Sequence, residues 1–161
     1  AMLGLWLLGF DLARRTIRTK GLARYMAACL LPGYAWLAVA GGLWIASPRM
    51  FLAGPGDDAM LHVVLLGFVF SMIFAHSPVF LPAVTGAPIA YRPRFYVHLA
   101  LLHLSLALRV AGDLLPDASL RQWGGSLNVV AIVLFLASTA AATIGEKRRL
   151  AKRTAALSPA R

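Results

Sequence analysis

The stretch Ala59-Met-Leu-His62-Val-Val-Leu-Leu-Gly67-Phe-Val-Phe-Ser71-Met-Ile-Phe-Ala-His76-Ser-Pro78-Val-Phe-Leu-Pro82 contains no Asp, Glu, Lys or Arg. As a helix rising ~1.5 Å per residue it is longer than the ~30 Å of hydrocarbon in a bilayer. Its length and lack of charge predict a transmembrane span, with two histidines inside it and two prolines in its last turns. Pro78 and Pro82 remove backbone donors there, so the end of this span is expected to kink or unwind.

Three more apolar runs reach spanning length: Tyr25–Ala46, Phe95–Leu115 and Gly125–Ile144, the second of them interrupted by Arg109. Met2–Phe10 is apolar but too short to cross, at about 15 Å of helix. It lacks the basic start and small-residue cleavage site of a signal peptide. The chain begins with Ala1, and the reading preferred for Met2–Phe10 is the tail of a helix whose first half lies upstream; the alternative is a short re-entrant or surface segment. The expected fold is all-α: a polytopic integral membrane bundle over residues 1–146 with four full transmembrane helices and a partial N-terminal one. A basic tail, 147–161, follows. Composition agrees, with 60% hydrophobic and 14% charged residues and a mean hydropathy of +0.73. Disorder and a disulfide scaffold are excluded, the latter because Cys29 is the only cysteine.

The formal charge of +10 would point to nucleic acid in a soluble protein. Its distribution points elsewhere. Thirteen basic residues fall on one side of alternating spans: five between Arg14 and Arg24, then Arg92 and Arg94, then six from Lys147 to Arg161. The opposite loops, Ser47–Asp58 and Pro116–Gly124, hold only Arg49 and Arg121, offset by Asp57, Asp58 and Asp117. This asymmetry predicts that the three basic segments and the C-terminus lie in the cytoplasm. Glu146–Arg161 has no nucleic-acid-reading motif and suits an amphipathic helix on anionic lipid. Small residues Gly41, Gly42, Gly124, Gly125 and Ala137–Ala142 suit close helix packing. No phosphate-binding, hydrolase or dinucleotide motif is present, so no catalytic residue is assigned.

Ionisable residues inside spans are expensive and so mark candidate sites. All four histidines fall in two adjacent spans. His62 and His76 are fourteen residues apart, about 21 Å of rise and within about 40° of one helix face. His98 and His103 lie on the next span, and its antiparallel direction brings His98 level with His76. A haem iron or copper between those two imidazoles is geometrically reasonable, with ring N–H groups oriented by Ser71, Ser77 or Ser105. Arg109 and Asp113, at i and i+4, are expected to form an intrahelical ion pair; pairing of Arg109 with a haem propionate is a second role. Each histidine read singly is also compatible with helix packing or a proton path.

The spacing of His62 and His76 is similar to that of b-type cytochromes, although the second pair does not repeat it. More broadly, His62 to Pro78, Tyr91-Arg-Pro-Arg94-Phe-Tyr-Val-His98 and Leu-Arg109-Val-Ala-Gly-Asp113 resemble bacterial polytopic membrane proteins of about twice this length. These are similar to the NnrS family, haem- and copper-containing proteins linked to nitric oxide and nitrosative stress, and more distantly to subunit I of haem-copper oxidases. The resemblance covers nearly the whole chain as a C-terminal half. It implies a haem b or copper site with His62, His76, His98 and His103 as ligand candidates, and a partner in a missing N-terminal half or another membrane subunit. The competing reading is a non-redox transporter half or scaffold subunit.

Overall fold

A computed structural model describes residues 1–46, 54–86 and 89–157; Arg49, Ala87 and Arg161 lie outside the described residues. The elements are all helical: α1 (Met2–Phe10), α2 (Ala13–Thr16), α3 (Leu22–Ala46), α4 (Pro55–His62), a π-helical segment (Val63–Val69), α5 (Phe70–Thr85), α6 (Phe95–Leu114) and α7 (Ala118–Leu157). Four spans are long and apolar enough to cross a membrane: Leu22–Ala46, Pro55–Val84, Phe95–Leu114 and Ala118–Ala156. The chain is an integral membrane protein. Val97, Leu104, Val129, Val133 and Leu136 are each more than half exposed, as side chains facing lipid must be, since without water there is no hydrophobic reason to bury them.

Helix ends follow local chemistry. Pro55 sits in the first turn of α4 with Asp57 and Asp58 beside it, where a missing N–H and negative charge both suit the helix N-terminus. Asp117 Oδ1 accepts the backbone N–H groups of Ser119 and Leu120, starting α7. Gly86, at φ 63°, stops α5 in the left-handed region, and its N–H bonds the Pro82 carbonyl.

Two expectations about these helices need correction. The inner prolines do not unwind the second span: α5 runs through Pro78 and Pro82 to Thr85. Pro78 has no N–H for the Phe74 carbonyl, and the Ser77 hydroxyl donates to that carbonyl instead, at 3.3 Å. The basic tail is not a separate surface helix either. Residues 147–157 continue α7, a helix of 40 residues and about 60 Å.

The π-helical segment alters the geometry of the second span. A π-turn advances roughly 80° per residue against 100° in an α-helix, so seven such residues withhold about a third of a turn. His62 and His76 therefore do not share a face. The His62 ring is anchored at Asp58 near α6, whereas His76 is exposed.

Close approaches are made at glycines. A Cβ on Gly67 would stand 2.6 Å from Trp36 of α3, and one on Gly4 2.6 Å from the Ala38 backbone. On α6 and α7, Cβ atoms added at Gly112 and Gly124 would lie 2.4 Å and 2.5 Å from backbone nitrogens of Arg121 and Arg109. These two helices are thus in backbone contact near one end, and α6 is the spine against which α7 and α4 pack.

Candidate functional site: polar levels along the α6 spine

Toward the basic end, His98 is buried and linked to α3 and α7. Its Nε2 lies 3.1 Å from the Tyr25 hydroxyl and its Nδ1 3.2 Å from Ser138 Oγ. Ser138 in turn donates to the Phe135 carbonyl at 3.0 Å. One assignment satisfies every group: Tyr25 O–H donates to Nε2, Nδ1–H donates to Ser138, and Ser138 donates to the carbonyl. The single lone pair of the imidazole is then held by Tyr25. Aromatic rings enclose the rest, with Phe74 edge-on at 5.0 Å and Phe135 at 5.4 Å, the two phenyl rings themselves stacked at 4.2 Å.

His76 occupies a different setting. It lines a groove of ≈ 500 Å³ with Met72, Ile73, Ser77, Phe80, Leu81, Phe135 and Leu136. A second groove of ≈ 410 Å³ shares Leu81, Phe135 and Leu136 and continues past Ile89 and Thr139 to Thr143 and Ile144. Next to Ile144, Arg92 Nη2 lies 3.7 Å from the Cβ position of Gly145. The His76 ring is fixed by Nδ1, 2.8 Å from the Met72 carbonyl. That nitrogen is the donor, so Nε2 carries the lone pair. Both ring nitrogens of His98, by contrast, are hydrogen-bonded within the bundle.

Mid-span, Trp36 Nε1 donates to His103 Nδ1 at 3.1 Å. The ring proton is consequently on Nε2, which is buried with no partner among the described residues. On the side facing α7, Ser105 Oγ lies 2.6 Å from Asn128 Oδ1 and 2.6 Å from the Leu101 carbonyl. The serines expected to orient histidines do not do so: Ser71 and Ser77 donate to carbonyls of their own helix, and Ser105 bonds as just described. Ser138 takes that role.

At the far end, charged groups from three helices converge. Arg109 Nη2 bonds Asp58 Oδ2 at 2.5 Å, and its Nε is 3.9 Å from Asp113 Oδ2. Arg121 Nε lies 3.6 Å from Asp113 Oδ1. His62 Nδ1 is 2.8 Å from the Asp58 carbonyl and 3.4 Å from its carboxylate. The expected intrahelical pair Arg109–Asp113 is the looser contact, and the tight one crosses to α4. Gly124 leaves room for the Arg109 backbone, and Gly125 leaves the room that its guanidinium fills.

Residues 1–144 match the family described as Domain of unknown function (DUF8744). The chain belongs to this family. No curated protein and no solved structure matches it. The DUF8744 match includes every polar level above and ends before the basic extension of α7.

Within this DUF8744 chain, all five sequence-chosen residues are placed, yet they are distributed rather than gathered. Among the described residues no three His, Cys, Asp or Glu side chains form a metal-binding group. Sequence reasoning missed Tyr25, Trp36, Asp58, Arg121, Asn128 and Ser138 as partners. Asp58 had a usable signal, standing four residues before His62 in the first turn of the span. Tyr25, 73 positions from His98, had none.

Proposed function

We propose that this protein is a bacterial inner-membrane haem b module in which His76 is the axial ligand, serving nitric oxide or respiratory metabolism. The observation that carries this reading is the anchored His76 ring: Nδ1–H held by the Met72 carbonyl and a free Nε2 lone pair on an apolar groove. An N–H fixed on a carbonyl is how proteins orient histidine ligands and raise their basicity. The groove and its continuation are long enough for a flat, apolar macrocycle, and Arg92 stands by the last residues of that run as a cation for carboxylates. Arg109, held by Asp58 at the other end, does not serve that purpose.

One imidazole is enough for a five-coordinate haem, whereas copper needs several converging ligands. Haem is therefore proposed ahead of copper. A haem held by His76 would supply one-electron chemistry and reactivity toward diatomic ligands. The chain itself contributes the fixed imidazole, a wall formed by Phe80, Phe135 and Leu136, and exclusion of water. The orientation proposed with it places the basic loops and C-terminus in the cytoplasm. Resemblance to the NnrS family supports the nitric oxide connection, and a further partner is proposed in a preceding half or another membrane subunit.

A second reading, a transporter half or scaffold, is favoured by the fact that His98 and His103 are hydrogen-bonded cross-links between helices. Iron analysis and a reduced-minus-oxidised spectrum of detergent-purified, full-length protein separate the two. Stoichiometric iron with a Soret band is expected; protein expressed with ample haem supply that carries neither overturns the haem reading in favour of the second.

A further inference from the structure

The charged cluster at the far end is not balanced by its ion pairs alone. Asp113 has a side chain with 0% exposure, and neither of its oxygens receives a hydrogen bond among the described residues. Its nearest cations, Arg121 Nε at 3.6 Å and Arg109 Nε at 3.9 Å, are beyond hydrogen-bonding reach. Arg109 has its tight contact with Asp58 instead. Moreover, the Asp58 and Asp113 carboxyl groups, from two different helices, meet at the Arg109 guanidinium and act on each other electrostatically. Two carboxylates meeting without a donor between them repel, and a buried carboxylate without donors is strongly disfavoured. A single proton between them removes both penalties.

We propose that Asp58 and Asp113 form an acid pair holding one exchangeable proton, loaded through His62 from the end of the bundle opposite the basic loops. The cluster then carries one shared negative charge against Arg109 and Arg121, and Arg121 is solvated, with 43% of its side chain exposed. Asp117, the other acid nearby, is engaged in capping α7. His62 and Asp58 are partly exposed, at 27% and 36%, and so connect solvent to the buried member. In transfer, the free His62 Nε2 accepts a proton from hydronium, Nδ1 releases its proton to Asp58 Oδ1, and Asp58 passes it to Asp113. The imidazole returns neutral and one water is left behind. The site binds a proton whether or not haem binds at His76.

The test is infrared spectroscopy of the full chain in phosphatidylcholine liposomes at neutral pH. One protonated-carboxyl C=O band per chain is expected, shifting down in heavy water. Asp58→Asn and Asp113→Asn should each abolish it, because the introduced amide donates to the remaining carboxylate. His62→Phe should retain the band and slow its deuterium exchange at least tenfold. No band in wild-type protein, or a band unchanged in Asp58→Asn, overturns the proposal. Circular dichroism and monodispersity confirm folding, and should Asp113→Asn not fold, the wild-type spectrum and Asp58→Asn decide.

Discussion

Arg109 Nη2 bonds Asp58 on a different helix at 2.5 Å, while Asp113, one turn along its own helix, stays 3.9 Å from Nε. The choice follows from where backbone room exists. Gly124 and Gly125 let α7 close against α6 and direct the guanidinium toward α4. Replacing Arg109 by alanine leaves the buried Asp113 carboxyl beside Asp58 with one cation fewer. A loss of about 3 kcal/mol is expected, read as a lower midpoint in detergent-denaturation curves. A double-mutant cycle with Asp58→Asn should show coupling of about 1–2 kcal/mol, discounted because Asp58 is partly solvated.

Glycine contacts predict which positions reject a side chain. Gly124→Val places carbon atoms against the Arg109 backbone, 2.5 Å from its nitrogen at Cβ alone. A destabilisation of about 1–3 kcal/mol is expected, measured by thermal unfolding. Gly9→Ala meets open space inside α1 and should leave Tm unchanged or slightly raised.

His98 is assigned as a structural cross-link among α3, α6 and α7. His98→Ala deletes two hydrogen bonds and leaves a cavity among Phe74, Phe95 and Phe135. The expected loss is about 2–4 kcal/mol. Tyr25→Phe removes only the donor to Nε2 and should lose about 1 kcal/mol; equal effects of the two variants would argue against the packing contribution.

The spans were legible because hydropathy sums over twenty or more residues, so errors at single positions cancel. Ends were less so: Pro78 and Pro82 read as a kinked or unwound end, whereas α5 stays helical to Thr85 with Ser77 bonding the Phe74 carbonyl. Hydropathy is equally blind to the π-helical Val63–Val69, since it sums apolar content and carries no information on backbone hydrogen-bond register. That one segment turns His62 and His76 apart and undoes the shared face implied by their spacing. The residues able to carry chemistry were visible as rare polar groups in apolar runs. Their partners were not, because Tyr25–His98 and Asp58–Arg109 are contacts of tertiary packing, and no local spacing encodes them.

Ser77→Ala isolates the proline compensation. It leaves the Phe74 carbonyl without a donor beside Pro78, and a loss of about 1 kcal/mol with increased local amide exchange over residues 74–82 is expected from hydrogen-exchange mass spectrometry.

The central claim, that His76 and not His98 holds the haem, is tested most directly by the reduced-minus-oxidised spectrum of two variants purified alongside wild type. His76→Ala should lose the Soret band and iron while remaining folded, and His98→Ala, although less stable, should keep both. Retention of haem in His76→Ala, or its loss in a folded His98→Ala alone, would contradict the account.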